Sequence, residues 1–378
     1  MKSNNLKYQF QAKKKAIILL ALYLFTTIFI LSLIKSPGLV NERAGMINMT
    51  DFKAYKPFQY RILLPCLIRT IEFMTPEPIK NKIDSKVSIL IHNKFKHSEN
   101  ESFDSKTNML SQNGYRIIVY LILNALALLM FLFILRQLAL ALGMFSERTC
   151  DLLPLGMAVA IPIYFNYGNF MYDFAHLCLF TLALLLLYKK QWQCYLIAFL
   201  FALLNKETSV MLIIVFAVNY YSELPRSKFV KLLSLQALIF IAVKFSLYIV
   251  FKNNPGGLVE WHLIRNLEHL SKLSSYFNFE HINTNKILPL YPNIPLPRGL
   301  NLLMFIFIAL GLFYKWREKP VFLKKSLIYA ALLLIMCIFM GHIDELRSYY
   351  AALPVVYLLC MHSVVEFINN MASKSERV

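Results

Sequence analysis

The sequence predicts an all-α fold, a polytopic transmembrane helical bundle of about ten membrane-crossing helices. Three features predict it. Hydrophobic residues make up 58% of the chain, well above the share in a soluble domain of this length. Apolar runs recur that approach the ~20 residues needed to cross a bilayer. The short connections between them place lysines and arginines on one side, as the positive-inside rule requires of cytoplasmic loops.

The elements follow in order. Lys13, Lys14 and Lys15 precede an apolar run from Ala16 to Ile34. That run is too long for the apolar core of a signal peptide and no small-residue cleavage site follows it, so it reads as a retained first helix. A long polar stretch leads to Arg116, and a second helix at about 117–135 ends at Arg136. Helices at about 152–165 and 173–188 are joined by a polar turn at 166–172, and Lys189 and Lys190 close the second of them. The segment 193–222 is apolar except for Asn205, Lys206, Glu207 and Thr208 at its middle. A single helix there would span ~45 Å, exceed the ~30 Å core and bury two charges at its centre, so two short helices meeting at Asn205 are expected. Further helices are expected at about 231–251, 300–314, 326–341 and 351–368.

The chain thus forms one transmembrane domain, 1–378, with two long outer loops at about 35–116 and 252–299. Both termini fall on the cytoplasmic side, with Arg136, Lys189, Arg226 and Lys319 on the short inner connections. The formal charge of +19 is accounted for by such loops, and nothing resembles a nucleic-acid-binding module. None of the six cysteines forms a Cys-x-x-Cys pair, and no disulfide framework, metal site or cofactor is expected. No phosphate-cradling glycine motif is present, which argues against a nucleotide-sugar donor.

The polar clusters fall on the outer side. They are the 51–65 loop, the turn ending in Tyr172 and Asp173, the 205–208 turn, the second loop and the 344–350 turn. Ionisable groups at membrane depth tend to mark substrate paths. Residues 61–74 form an amphipathic interfacial helix in this reading, with Arg61, Arg69 and Glu72 near one face and Leu63, Leu64, Leu67, Ile68 and Ile71 on the other. It would present Arg61 at the level of lipid phosphates. Asp51 is the candidate catalytic base. Arg61, Lys206 and Arg347, with Tyr60 beside them, are the candidate phosphate-binding residues, because cations at that depth suit an anionic leaving group. Asp173, Glu207 and Glu42 are secondary candidates. Each has a structural alternative: Asp173 suits a helix N-terminus, Lys206 and Glu207 could pair with each other, and Arg347 could pair with Asp344 or Glu345. Asp173 and His176 make only half of a metal site, so no metal is assigned.

The order of these features resembles the C-type (GT-C) glycosyltransferase superfamily: an inner N-terminus, a first helix, a long outer loop with an early acid and an amphipathic helix, then many helices. The run Asp51, Tyr55, Pro57-Phe58-Gln59-Tyr60-Arg61 and Pro65 is similar to the first-loop acid and the tyrosine–arginine run of the mannosyltransferases that build GPI anchors. The set Phe58 to Arg61, Tyr172-Asp173, Asn205 to Thr208 and Glu345-Leu346-Arg347 also resembles a group of bacterial membrane proteins of this class. This chain departs from the pattern in having Asp51 without a second adjacent acid. The resemblance implies a bacterial inner-membrane enzyme with Asp51 as base. Its donor would be a sugar on a polyprenyl phosphate, and its acceptor a glycan, lipid or protein. Other readings are a polysaccharide polymerase or ligase, a transporter or flippase, and a membrane assembly protein. Reporter fusions test the topology: fusions at Lys189, Arg226 and Lys319 should report cytoplasm and fusions near Lys94 and Asn283 the outer side, and an outward signal at Lys319 would overturn the pair of helices at 193–222.

Overall fold

The computed structural model describes residues 2–34, 37–39, 41–95, 109–165, 168–282 and 294–375. Residues 166 and 167 of the expected polar turn, and Asn283 and Pro292 of the second loop, lie outside the described residues. The first helix, α1 (Lys2–Leu33), enters a long loop that carries α2 (Met46–Thr50), α3 (Leu63–Met74) and α4 (Glu77–Phe95). Then come α5 (Gly114–Leu142), α6 (Glu147–Leu152), α7 (Met157–Tyr164), α8 (Asp173–Tyr188), α9 (Trp192–Asn205), α10 (Met211–Tyr220) and α11 (Arg226–Val250). The second loop carries α12 (Leu263–Leu270) and an antiparallel ribbon of β1 (Phe279–Ile282) and β2 (Ile294–Pro297), with Phe279 opposite Pro297. The chain finishes with α13 (Leu302–Phe313), α14 (Val321–Met340) and α15 (Leu353–Ser375).

Among the described residues, five segments are long and apolar enough to cross a membrane: Gln11–Leu33, Gly114–Leu142, Arg226–Val250, Val321–Met340 and Leu346–Ser373. Four shorter apolar helices, Asp173–Tyr188, Trp192–Asn205, Glu207–Tyr220 and Leu302–Phe313, accompany them. These are the proportions of a multi-pass membrane protein.

The helix expected at 152–165 is interrupted. Pro154 sits in a 3-10 turn at Leu153–Gly156, and Pro162 lies inside the short α7. Proline removes a backbone donor and crowds the preceding turn. The break expected near Asn205 falls at Lys206, whose backbone is extended at φ −159° and ψ 134°. Beyond it the chain turns back: the ring of Trp192, at the start of α9, lies 5.1 Å from that of Tyr220, at the end of α10.

The core forms around α8. Its sequence is apolar on all sides after Asp173, which marks a helix with no solvent face, and all but four of its 16 residues are buried. It packs on α5 and α9. Two sets of groups close the ends of the bundle. At the end away from the long loops, Asp151 accepts from Arg136 Nε at 2.7 Å and pairs with Lys15 Nζ at 2.7 Å. At the loop-bearing end, the two long loops clasp each other. Asn254 Nδ2 donates to the carbonyls of Phe52 at 3.0 Å and Ala54 at 2.9 Å, and Lys56 N–H donates to Pro255 O at 2.8 Å. Gly256, at φ +90°, lies so close that a Cβ would come within 2.5 Å of the Lys56 carbonyl oxygen. Glycine is the residue that meets both demands. Further along, Asn266 on α12 donates to the carbonyls of Cys337, Ile338 and Gly341 and accepts from Ile343 N–H. It thereby satisfies the orphan carbonyls at the C-terminus of α14 and fixes where the following turn begins.

The amphipathic helix in the first loop is present as α3, with Leu64, Pro65 and Ile68 buried and Phe73 and Met74 exposed. Arg61 differs from the expectation. It precedes α3, and its side chain runs into the protein instead of lying at the membrane surface; the residue is only 7% exposed.

Candidate functional site

Four distant stretches bring charged groups together at the loop-bearing end. The first is the turn before α3. Gln59 pins it, since Gln59 Oε1 accepts Ala54 N–H at 2.8 Å and Gln59 Nε2 donates to Met49 O at 3.4 Å. Arg61 leaves this turn inward. Its Nε donates to Glu207 Oε2 at 3.1 Å and its Nη2 to Glu207 Oε1, a bidentate pair. Its guanidinium also lies 4.1 Å from the ring centroid of Tyr172. A planar fork suits both partners, which an ammonium would not.

The second stretch is the head of α8. Asp173 is fully buried, where an unpaired carboxylate would be very costly. Its Oδ2 accepts from Phe170 N–H at 2.8 Å and from Arg347 Nη1 at 3.3 Å. Lys206 Nζ lies 3.8 Å from its Oδ1, which has no hydrogen-bond partner among the described residues. The positive end of the helix dipole adds to this stabilisation.

The third stretch is the break between α9 and α10. Lys206 Nζ donates to the Tyr350 hydroxyl at 3.1 Å and stands 4.3 Å from that ring's centroid. Asn205 Nδ2 donates to Tyr172 O at 2.9 Å, tying the break to the head of α8. The extended backbone at Lys206 sends Lys206 and Glu207 to different partners, so the alternative in which they pair with each other gives way to two separate pairs. His176, one turn into α8, lies between Thr208 Oγ1 and Ser209 Oγ, each at 3.4 Å. The fourth stretch is the turn after α14. Arg347 Nη2 donates to Glu345 Oε2 at 2.9 Å, and the guanidinium lies 4.3 Å from the Phe170 ring centroid.

Arg61, Lys206 and Arg347 therefore face Asp173, Glu207 and Glu345 in one network. Burial is the main influence on Lys206; with Asp173 opposing it and the guanidinium groups of Arg61 and Arg347 adding to it, the ammonium is pushed down to about 7. Burial also opposes the charge on Arg61, but the Glu207 carboxylate outweighs it and holds the guanidinium above its ordinary range.

Of the residues singled out in the sequence, Arg61, Lys206, Arg347, Asp173 and Glu207 meet here. Tyr60 lies at the edge. It is 6% exposed, its hydroxyl has no hydrogen-bond partner among the described residues, and Lys244 Nζ is 5.6 Å from its ring centroid. Asp51 belongs to a separate network. It accepts from Arg116 Nη1 at 2.9 Å and lies 3.9 Å from Arg69, and both arginines also bind Glu72. Burial would raise the Glu72 carboxyl, but the Arg116 and Arg69 guanidinium groups bring it below its ordinary value. The Asp51 side chain keeps 32% exposure, enough for a solvent-borne group to reach it. Glu42 is exposed, and its carbonyl accepts from Asn48.

Sequence reasoning missed the roles of Tyr350, which receives Lys206, and of Arg116, which holds Asp51. The available signal for Arg116 was its place as the last charge before a long apolar helix. Among the described residues, no group of three or more His, Cys, Asp and Glu is placed to hold a metal. A cavity of about 460 Å³ lies at the opposite end, between Tyr188, Lys190, Tyr220 and Phe322, and none of the charged network lines it. No protein-family model matches the chain, and neither a curated protein nor a solved structure matches it.

The Arg61–Glu207 pair can be probed directly. Glu207→Gln strands a buried guanidinium and should cost about 3–5 kcal/mol, whereas the double variant Arg61→Met with Glu207→Met should cost much less. Thermal unfolding of detergent-solubilised protein measures both, together with Arg61→Met and Glu207→Met alone, and a double loss equal to the sum of the two single methionine losses would show that the two residues do not act as a pair.

Proposed function

We propose that the protein is a membrane glycosyltransferase that moves a sugar from a polyprenyl-phosphate donor to an acceptor at the outer face of the inner membrane. The observation that carries this reading is the charged network. Three cations from distant parts of the chain are gathered beneath the long loops, each already held by carboxylates. Such a set is preorganised to receive a phosphate, because cations locked by neighbours lose little freedom when an anion arrives. The membrane itself holds the lipid tail. The shorter apolar helices α8, α9, α10 and α13, together with the interrupted stretch that ends in α7, add five to the five long segments, which supports about ten crossings in thinned or tilted form, with both termini inside.

The reaction in this reading is an inverting displacement. An acceptor hydroxyl gives its proton to Asp51 as its oxygen attacks the anomeric carbon, and the bond from that carbon to the phosphate oxygen breaks. The electron pair leaves with the lipid phosphate, whose charge Arg61, Lys206 and Arg347 take up. Asp51 fits the base because a hydrogen bond from Arg116 fixes where its carboxylate points while the side chain remains partly open.

Two measurements test this. Cells lacking the protein should accumulate a polyprenyl-phosphate sugar, and the wild-type protein should clear it. Asp51→Asn should reach the membrane in normal amounts and slow the clearance ~10²–10⁴-fold. Clearance by that variant at the native rate would move the base to Asp173, Glu207 or Glu42, and no change in any lipid-linked sugar would overturn the function. The second concerns pH. Lys206 carries its proton below about 7 and releases it above, so raising the pH from ~6 to ~8 should weaken donor binding by up to ~10-fold. Lys206→Arg, which stays charged, should flatten that profile, and an identical profile in the variant would remove Lys206 from phosphate binding.

A further inference from the structure

Of the segments able to cross a membrane, α11 is the least covered by the rest of the protein: only 17% of its apolar window is buried. Leu238, Ile241, Phe245 and Ile249 are exposed along it. Within its last two turns this lipid-facing helix carries Lys244, which is half-buried. Arg61, Lys206 and Arg347 each have a carboxylate within 4 Å. Among the described residues Lys244 has no ion pair and no hydrogen bond. A cation at such depth is expensive and calls for a counter-charge.

Its surroundings point one way. α11 packs on the turn Phe58–Tyr60, and Lys244 Nζ stands 5.6 Å from the Tyr60 ring centroid. Tyr60 is buried, yet its hydroxyl donates to nothing described. Tyr248 stands one helical turn beyond Lys244, on the same face of α11. Glu207 and Arg61 lie within electrostatic reach of Lys244. An unpaired ammonium and an unpaired hydroxyl thus share a seam between the membrane-facing helix and the loop that leads to the charged network.

We propose that Lys244 and the Tyr60 hydroxyl form the entry subsite for a lipid phosphate, which passes from the membrane through the seam between α11 and the Phe58–Tyr60 turn. The lipid tail stays on the apolar outer side of α11, along Ile241 and Phe245. Lys244 contacts the phosphate as a point charge, Tyr60 donates to a phosphate oxygen, and the anion then lies beside Arg61. The transfer that follows rests on the glycosyltransferase reading; the binding step does not.

The test uses the full chain in nanodiscs of phosphatidylcholine doped with a polyprenyl phosphate, with lipid-phosphate occupancy read by native mass spectrometry. Wild type should bind it. Lys244→Met, which keeps the side chain's length on a lipid-facing helix, should weaken binding at least ~10-fold while thermal stability is kept, and Lys244→Arg should restore it. Tyr60→Phe should weaken binding less, since it removes one hydrogen bond. Inorganic phosphate forms the second arm and should not displace the lipid; equal displacement would make this a free-anion site and overturn the lipid source. Unchanged lipid binding in Lys244→Met overturns the subsite while leaving the transferase reading in place, and Lys244 is then a snorkelling lysine. Lipid binding lost in Lys244→Met, in a protein that transfers no sugar, keeps the subsite and removes the transferase. Absence of binding by the wild type removes both.

Discussion

The carboxylate of Asp173 is the point on which the loop-bearing end depends. It is fully buried and begins a helix that is buried over most of its length. A backbone amide, a guanidinium and an ammonium meet it, and they come from three parts of the chain. Without it, Arg347 would have, among the described residues, only Glu345 and Lys206 only a tyrosine hydroxyl as close polar partners. Buried pairs add little net stability over apolar packing, but losing one partner strands the other at great cost. The network therefore acts chiefly to define a single arrangement, and that arrangement happens to concentrate cations.

The two long loops serve the same end. Neither is a free tether: Asn254 and Gly256 bind the first loop to the second, and Asn266 binds the second to the end of α14. Through these contacts the turn that directs Arg61 and the turn that directs Arg347 are referred to a common frame. An anion entering the site meets groups whose positions were set by backbone hydrogen bonds well outside it, which is how precise placement is obtained from loops.

Much of this was legible in the sequence because membrane helices are written in composition. α8 has the expected bounds because its apolar run is flanked by Asp173 and Lys189. The break at Lys206 followed from the cost of two charges in mid-membrane. The same reasoning drew Asp173, Glu207, Lys206 and Arg347 towards one surface. It failed where direction matters more than location. Arg61 fits the polar face of an amphipathic helix by spacing, yet that helix begins at Leu63, and Arg61 turns inward towards a partner 146 positions away. Asp51 meets Arg116, 65 positions along. Periodicity reports neighbours within a helix and carries no record of contacts between helices. The interruption at 152–165 was readable from Pro154 and Pro162, whose effect on a helix outweighs the apolar character of the run.

The distance between Arg61 and Glu207 along the chain also bears on how the protein is built. A chain entering the membrane from its N-terminus delivers Arg61 before α5 to α9 exist, and Arg347 arrives only with the last helix. The network therefore closes in an order: Arg347 joins Asp173 late, and before that Arg61 has to wait for Glu207. Until then Arg61 sits on a loop outside any apolar segment, where water can solvate it. The last of these charges is thus dried late, and a chain cut before Arg347 would leave Asp173 without its guanidinium partner.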